Sequence, residues 1–505
     1  MAGHRSEQSS AQRYPRVKET KPEEMGDRES ERLHSTEELG EPVPRDPKEG
    51  REPHSMELLE GKMEGIPGPE TVSTKLQKIA ELAGKAPEMA FTSLNHHINI
   101  DWLLEAYRRT RKDKAPGIDG QTAKEYEKNL LENLNNLLER FKSGMYKAPP
   151  VKRVYIPKGD GSKTRPIGIP TFEDKILQRA VTMVLGAIFE KDFLDCSYGY
   201  RPKRSAHQAI QRLWEQLMEM GGGFVLELDI QKFFDTLDHS QLRSFLDQRV
   251  RDGVIRRTID KWLKAGVMEE GALWRLEIGT PQGGVISPIL ANLYLHEVLD
   301  LWFHRDVLPR LKDTAVLIRF ADDAVLVFAS ESDAKRVMEV LPKRFGRYGL
   351  ALHPQKTKLV DFKRPSDGGS SGPGSFDLLG FTHFWGKSRK GRWAVKRRTA
   401  KDRFARALKK VSEWCMKQRH LPVGDQYRSL CRKLAGHNQY YGITGNYYAL
   451  ERFYRSVRMV WRKWLDRRSQ KAKMSWDRYN RLLDMYRLPK PRVVHSVYAR
   501  SETMV

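Results

Sequence analysis

The stretch IRFADDAVLVF, residues 318–328, places two adjacent carboxylates, Asp322 and Asp323, between two runs that are otherwise almost wholly apolar. Two apolar runs around a short polar step are typical of a β-hairpin, with the acids at its tip. Taken alone, an acidic pair at a hairpin tip most often serves only the turn. A second apolar run, at 224–229, also ends in a carboxylate, Asp229. We therefore expect three acids from two strand ends to converge on one site.

Such an acidic cluster needs cations, because carboxylates held close together repel each other. Hard oxygen ligands that fill only part of a coordination shell suit Mg²⁺, which keeps water or substrate phosphates as its remaining ligands. Two Mg²⁺ ions about 4 Å apart activate an attacking oxygen and stabilise the leaving group in phosphoryl transfer. The sequence thus predicts a catalytic centre for nucleotidyl transfer, with two Mg²⁺ ions as cofactors and Asp229, Asp322 and Asp323 as catalytic and metal-binding residues.

Composition limits the class of protein. The chain has 505 residues, of which 39% are hydrophobic, enough for a globular protein of at least two parts. Its three cysteines lie far apart and offer neither a disulfide framework nor a Cys-x-x-Cys zinc site, which fits a reducing cytosol. The longest apolar run, at 180–189, is too short to span a bilayer. The N-terminus lacks the apolar core of a signal peptide, so we expect a soluble intracellular protein.

The net charge of +25 is distributed unevenly along the chain. Residues 1–60 carry a net charge of −5, whereas residues 386–505 carry +24. A basic region with interleaved aromatic residues suits a nucleic acid, since cations bind its phosphates and rings stack on its bases. A solvated basic helix face is the alternative. Residues 1–70 show no apolar periodicity and are predicted to form a disordered, charged tail.

The apolar pattern predicts alternating helices and strands. A helical pattern begins near Thr71, and two amphipathic helices are expected at 99–113 and 123–144. A strand at 151–157, a Gly-rich loop and an apolar helix at 172–189 follow. After residue 385 the chain is expected to be basic and mostly helical.

Five further segments stand in a fixed order around the acids. They are KRVYIPKGDGSKTRPIGIP (152–170), YGYRPKRSAHQAI (198–210), GTPQGGVISPILANLYLHEVLD (279–300), GLALHPQKTKLVDF (349–362) and FDLLGF (376–381). Each alone is a weak signal. Together with the Ala-Asp-Asp turn they resemble the reverse transcriptase and maturase proteins that bacterial group II introns encode, over residues 90–505. One departure is Phe320, which stands where the family most often has Tyr.

The resemblance implies an α+β fold, the right-hand polymerase, with fingers and a palm followed by an α-helical thumb. Its expected parts are an N-terminal extension and fingers at 71–205, a palm at 206–385, a helical thumb and maturase domain at 386–475, and a short basic segment at 476–505 as a remnant of a DNA-binding region. The palm is expected to hold an antiparallel sheet covered by helices on one face. An endonuclease domain is not expected, because no Cys follows Cys431.

The resemblance also assigns residues around the nucleotide. Ile230 joins the three acids in the metal site, and Phe234 is the ring that blocks a ribose 2′-hydroxyl and so favours dNTPs. Its neighbour Phe233 is expected to face the core. The residues expected to bind the incoming nucleotide are Lys158, Lys163, Arg165, Phe234, Gln282 and Lys356. For the charged loop that carries the first three, an exposed hairpin with solvated charges is the alternative.

Two further sets of residues follow from the resemblance. Leu379, Gly380 and Phe381 are similar to the loop that supports the primer terminus. Arg432, Tyr440 and Tyr441 are candidates for RNA contact, although aromatic helix packing is the expected role of at least one tyrosine.

The predicted function is an RNA-directed DNA polymerase of a group II intron in the bacterial cytosol. It would extend a DNA primer on an RNA template with dNTPs, bind the intron RNA as a maturase, and assist splicing and retrohoming into target DNA. Two alternatives stay open: an intron-free reverse transcriptase used in defence or repair, and a non-catalytic RNA-binding maturase.

Overall fold

The computed structural model of the protein describes residues 71–158, 163–269, 272–274, 279, 283–366, 374–388, 390–469 and 473–496. The tail expected to be disordered, the centre of the Gly-rich loop and Gln282 lie outside these residues.

Helices form most of the described chain. In order they are α1 (Val72–Lys85), α2 (Ile100–Arg109), α3 (Ala123–Glu127), α4 (Leu130–Lys142), α5 (Phe172–Asp192), α6 (Ala206–Glu219), α7 (His239–Arg249), α8 (Gly253–Lys264), α9 (Ser287–Leu295), α10 (Glu331–Gly346), α11 (Lys401–Lys417), α12 (Val423–Tyr441), α13 (Tyr447–Asp466) and α14 (Trp476–Met485). Two π-helical turns, His296–Asp300 and Phe303–Val307, follow α9.

The strands form three sheets. The strands are β1 (Val151–Lys158), β2 (Lys163–Ile169), β3 (Phe224–Leu228), β4 (Val267–Glu269), β5 (Ala272–Trp274), β6 (Ala315–Phe320), β7 (Asp323–Phe328), β8 (Lys358–Asp361), β9 (Ser375–Leu378), β10 (Phe381–Lys387) and β11 (Trp393–Thr399). The sheet orders are β2-β1-β4-β5, β6-β7-β3-β8 and β11-β10-β9. The fold therefore mixes helices and sheets, as predicted.

The register of the sheet β6-β7-β3-β8 decides where the acids lie. All its pairings are antiparallel, and Leu228 at the end of β3 lies opposite Ala324 in β7. At the end of β6, Phe320 lies opposite Asp323. Because Asp229 directly follows Leu228, the register alone brings it to the end of the sheet where the β6–β7 turn is located.

Both faces of this sheet are buried. Phe224, Leu226 and Leu228 join the largest core with α5, α9 and α10, whereas Val225 joins a second core on the other side. That second core contains side chains of α6, β9, β10 and β11. The expectation of helices on one face only is therefore wrong. Successive residues of the strands point to opposite faces, and both sets are apolar, so each face needs a cover.

The C-terminal helices begin later than predicted. The expected boundary after residue 385 lies inside β10, and residues 393–399 form β11, which pairs with β10 along its whole length. In β11 the residues Val395, Arg397 and Thr399 are buried. This alternation is typical of a strand, but a buried arginine in a basic stretch conceals it in the sequence. The helical region starts with α11.

The segment after residue 475 is part of the C-terminal helical region. Helices α11–α14 share one core, in which Trp461 and Tyr479 are fully buried. Leu488, beyond α14, belongs to the same core, and Ile443 forms a parallel bridge to His495. As far as residue 496, the chain is therefore packed onto α11–α13 and is not a separate segment.

The N-terminal helices pack around the apolar helix α5. Thr71 caps α1, and Trp102 of α2 donates from its indole nitrogen to the Ala180 carbonyl at 3.0 Å. The single helix predicted at 123–144 is two helices, because Asn129 leaves the helical region with φ −121° and ψ 42°. In the described part of the chain no helix combines the length and apolar character needed to cross a membrane.

Candidate active site

Three acids meet at one end of the sheet β6-β7-β3-β8, the central sheet of the protein. Asp229 follows β3, Asp322 occupies the β6–β7 turn, and Asp323 begins β7. The backbone of Asp229 is fixed by its carbonyl, which accepts from the His353 amide at 2.8 Å. Next to it, Ile230 forms an antiparallel bridge with Leu352 and is buried.

The charges of the three acids act on one another. The Asp323 side chain is open to solvent, yet the walls of the cleft remove much of its surrounding water. This desolvation raises the pKa of Asp323 to about 6, and the charges of Asp322 and Asp229 add to the rise. Arg403 and Arg165 oppose it. The cluster therefore holds more negative charge than its surroundings neutralise.

Lys356 supplies one cation at the cluster. Its ammonium lies 2.9 Å from an Asp229 carboxylate oxygen, and both side chains are partly exposed. The prediction that this lysine lies near the acids agrees with the contact.

The acids alone do not complete a metal site. Within the described ranges, no group of three or more His, Cys, Asp or Glu side chains is arranged to hold a metal ion. The donor set nevertheless fits a divalent cation that keeps other ligands, because its donors are hard oxygens and its charge is in excess. Asp229, Asp322 and Asp323 are the residues that would hold it.

A cavity of about 320 Å³ runs from the acids to the loop between β9 and β10. Its lining includes Asp229, Asp323, Leu379, Gly380 and Arg403. The loop has left-handed backbone at its two central residues, with φ 51° at Leu379 and 82° at Gly380. The structure thus brings the predicted primer loop to the same cavity as the acids.

The two tyrosines predicted to contact RNA pack against this loop. The Tyr440 hydroxyl donates to the Leu379 carbonyl at 2.8 Å, and both tyrosine rings lie against Phe381, with centroids at 5.9 and 5.3 Å. Phe381 is fully buried. Arg432, about two turns before them on α12, is exposed. Both tyrosines are thus half-buried and packed on the loop, and Arg432 is the most exposed of the three candidates.

Four of the predicted nucleotide-binding residues belong to two segments, the β1–β2 hairpin and the loop before α9. Arg165 lies on β2 opposite Ile156, and its charge lowers the pKa of Asp323, so it faces the acids. Lys158 and Lys163 pair with each other at the hairpin end of β1 and β2. Gln282 is outside the described residues. The loop just after it is held by Gln178, whose side-chain oxygen accepts from the Val285 amide at 2.7 Å.

Phe233 and Phe234 follow Asp229 in a short 3₁₀ helix, Phe233–Asp235, rather than in a strand. Phe233 is buried, and Phe234 is half-buried with its ring 5.4 Å from that of Phe233. Phe233 is the core residue, as expected, but a helical turn and not strand alternation separates the two rings. Phe234 is the ring that remains partly exposed.

Two residues of the site were not predicted. Tyr200 is exposed, and its pKa is raised by partial burial and by the nearby Asp322 charge. Arg403, at the start of α11, lines the cavity. The segment that carries Tyr200 belongs to one of the motifs, but only the tertiary contact shows where its ring lies. Arg403 has no motif that could have identified it.

Residues with strained backbone conformations cluster around the three acids and the cavity. In the described ranges five residues other than glycine have positive φ: Tyr200, Lys203, Lys232, Ala321 and Leu379. Ala321 directly precedes Asp322, Lys232 lies three residues after Asp229, Leu379 lines the cavity, and Tyr200 follows a glycine packed on Ala321. Such strain persists only where surrounding contacts impose it, and it is typical of functional sites.

Comparison with known proteins identifies the family. The family model described as reverse transcriptase (RNA-dependent DNA polymerase) matches residues 156–383, which include all three acids. Protein YkfC of Escherichia coli (strain K12) is 34% identical over 328 residues, which cover 57% of this chain and 84% of YkfC. The group II intron-encoded protein LtrA of Lactococcus lactis subsp. cremoris is 32% identical over 307 residues. The chain belongs to the family of group II intron-encoded reverse transcriptases and maturases.

The similarity extends to an intron protein of yeast. The putative COX1/OXI3 intron 1 protein of Saccharomyces cerevisiae (strain ATCC 204508 / S288c) is 32% identical over 206 residues, or 40% of this chain. The chain spans half the length of LtrA and about a quarter of the yeast protein.

Proposed function

We propose that the chain synthesises DNA on an RNA template, adding dNTPs to the 3′ end of a primer, with Mg²⁺ as its metal. The observation that carries this proposal is the convergence of Asp229, Asp322 and Asp323 at one end of the sheet, where desolvation, with the charges of the other two acids, raises the pKa of Asp323 to about 6. A cluster of this kind is stable only beside cations, and nucleotide phosphates bring both cations and the reacting group.

The proposed division into a right hand follows the sheets. The central sheet with its flanking helices would be the palm, within 206–385 and extended by β10 and β11. The β1–β2 hairpin and the N-terminal helices, within 71–205, would be the N-terminal extension and fingers. Helices α11–α14 would be the thumb and maturase domain. This division is supported by the cavity, which lies between the central sheet, the loop at Leu379 and the start of α11.

Each residue of the site has a proposed role. Bound Mg²⁺ supplies the charge that activates the primer 3′-hydroxyl and stabilises the leaving pyrophosphate. Arg165, with Lys158 and Lys163 at the hairpin end, binds the triphosphate, since a guanidinium can donate two parallel hydrogen bonds to phosphate. Gln282 is proposed to contact the incoming nucleotide. Phe234 excludes a ribose 2′-hydroxyl by its bulk.

The primer would lie in the cavity, and the RNA would bind to the surface of the basic C-terminal helices. Residues 386–505 carry a net charge of +24, and phosphate contacts of such a surface make binding strongly dependent on salt. Arg432 is a candidate contact to intron RNA, because it is exposed on α12. Tyr440 and Tyr441 pack against the predicted primer loop and support its conformation. Their contribution to RNA binding is proposed to be indirect.

Primer extension on an RNA template tests the proposal. Purified protein is given a DNA primer, Mg²⁺ and either dNTPs or rNTPs, and is compared with a double variant, Asp322→Ala with Asp323→Ala. Asp313→Ala is the matched control, because it removes an exposed carboxylate before the same hairpin strand β6. We expect DNA synthesis from dNTPs in the wild type and the control and none in the double variant. Wild-type protein that binds RNA tightly but extends no primer would favour a non-catalytic maturase.

A further inference from the structure

A buried ion pair lies directly beneath the acidic turn. The side chains of Arg319, on β6, and Asp300, at the end of a π-helical turn, are both fully buried. The guanidinium donates to both carboxylate oxygens, from Nε at 2.8 Å and from Nη2 at 2.6 Å. Replacing such a pair by well-packed apolar side chains is often neutral or stabilising, so stability alone does not explain it.

The third guanidinium nitrogen of Arg319, Nη1, contacts the β6–β7 turn. This nitrogen donates to the Ala321 carbonyl at 3.0 Å and to the Asn292 side-chain oxygen at 3.1 Å. Ala321 has φ 56°, a left-handed conformation that a residue with a Cβ atom adopts only at a cost. Ala321 also directly precedes Asp322. The guanidinium therefore holds the strained residue that sets the direction of the catalytic acid.

The same hydrogen-bond network also fixes residues 196–199, the segment that packs against the β6–β7 turn. Asn292 donates from its side-chain amide to the Gly199 carbonyl at 2.7 Å, and Gly199 packs directly on the Ala321 backbone. Two backbone hydrogen bonds of 2.8 Å join Tyr198 and Cys196 to Arg319. One guanidinium thus connects the π-helical turn, the β6–β7 turn and, through Asn292, the segment that presents Tyr200.

We infer that Arg319, held by Asp300, is a positioning residue that keeps the Ala321–Asp322 backbone in its catalytic conformation. The inference rests on the proposed polymerase function. Lysine cannot replace the arginine, because an ammonium is a point charge and cannot donate to a carboxylate in two directions while reaching a backbone carbonyl. The residues proposed to bind the triphosphate lie elsewhere, on the β1–β2 hairpin. Loss of the arginine should therefore slow the chemical step and leave the KM for dNTP nearly unchanged.

The experiment measures single-nucleotide addition in a rapid-quench burst, which separates the rate per active site from the number of active sites. Arg319→Lys is expected to lower the burst rate by about ten-fold or more, as small misplacements of catalytic groups do. The double variant Arg319→Lys with Ala321→Gly should recover part of that rate, because glycine adopts positive φ without strain. A residue needed only for folding would lower the burst amplitude, and glycine at 321 would recover nothing.

Arg249→Lys is the matched control. Arg249 is also buried and paired with an aspartate, Asp192 at 2.9 Å, but its other hydrogen bonds go to carbonyls of residues 83–89. It should lose thermal stability and burst amplitude while keeping the wild-type burst rate.

Asn292→Ala is the second variant, and it decides the question if Arg319→Lys does not fold. It leaves the ion pair intact and removes the bond to Gly199, so its burst rate should fall less than that of Arg319→Lys. Wild-type burst rates in Arg319→Lys, or in Asn292→Ala where the lysine variant does not fold, would overturn the inference. A wild-type enzyme that extends no primer would instead refute the proposed function, and this inference with it.

Discussion

Gly199→Ala tests how closely the two backbones at the catalytic turn must approach. A Cβ atom at position 199 would lie 2.2 Å from the Ala321 nitrogen and 2.9 Å from the Phe320 carbonyl carbon. Both atoms belong to the backbone, so no side-chain rotation can relieve the contact. Real Cβ contacts essentially never fall below 3.0 Å, and the two segments must therefore separate by about 0.8 Å or more.

The separation can be taken up only by moving one of two constrained segments. The 199 segment is held by Asn292, and the turn is held by Arg319. A displacement of about 1 Å in a catalytic group can lower a rate by about a hundred-fold, and we expect a loss of that order in the rate of dNTP addition. Binding of the primer and template should change little, because the substitution adds no charge and leaves the basic side chains of the C-terminal helices unchanged.

The assay is single-turnover addition of one dNTP, with primer-template affinity measured in parallel by fluorescence anisotropy. Gly346→Ala is the control, since a Cβ atom there would meet nothing within 4 Å. A Gly199→Ala enzyme with the wild-type rate would refute the reasoning, because it would show that the turn tolerates displacement.

Three further variants are expected to separate specificity, stability and primer support. Phe234→Ala should raise rNTP incorporation relative to dNTP by on the order of ten-fold, measured as the ratio of kcat/KM values, because the ring no longer clashes with a 2′-hydroxyl. His383→Phe should make the protein less sensitive to acid. Burial and a neighbouring arginine lower the pKa of His383 to about 3, so the unfolded state, with a pKa near 6.5, takes up the proton first as the pH falls. Stability is therefore lost below about pH 6.5, and between about pH 8 and pH 5 this histidine accounts for about 2 kcal/mol of the loss. Urea unfolding at both pH values measures it, with exposed His420→Asn as control; an equal loss in wild type and His383→Phe would contradict it. Gly380→Ala should weaken primer use several-fold in KM without changing affinity for RNA alone, because φ at 380 is 82° and the new Cβ atom would lie 3.2 Å from the Tyr441 hydroxyl; an unchanged KM for primer would count against the proposed primer loop.

The convergence of the acids could be predicted from the sequence, because it depends only on the apolar strand patterns and on strand pairing. Asp229 and Asp323 end or begin apolar strands, and antiparallel pairing of those strands brings them together without help from distant residues. Helix α5 was predictable for a similar reason, since its apolar run is long and capped by Thr171.

Buried charge and long-range contacts could not be predicted in this way. Strand β11 was missed because its inward-facing set contains Arg397, a residue that normally signals exposure. The ion pair beneath the turn joins positions 300 and 319, and no local pattern marks either residue as buried. Tyr440 and Tyr441 lie in a basic, aromatic stretch, and only the fold shows that Phe381 packs against both of them.

The most direct test of the central claim is the rate of single dNTP addition to a DNA primer on an RNA template, measured with Mg²⁺ and with the metal removed by EDTA, in wild type and in Asp229→Asn. This variant preserves the size of the side chain and removes its charge. Three converging acids that work through a bound metal predict addition in the wild type with Mg²⁺, and none with EDTA or in the variant. Addition by Asp229→Asn at the wild-type rate, or in the absence of metal, would contradict the account.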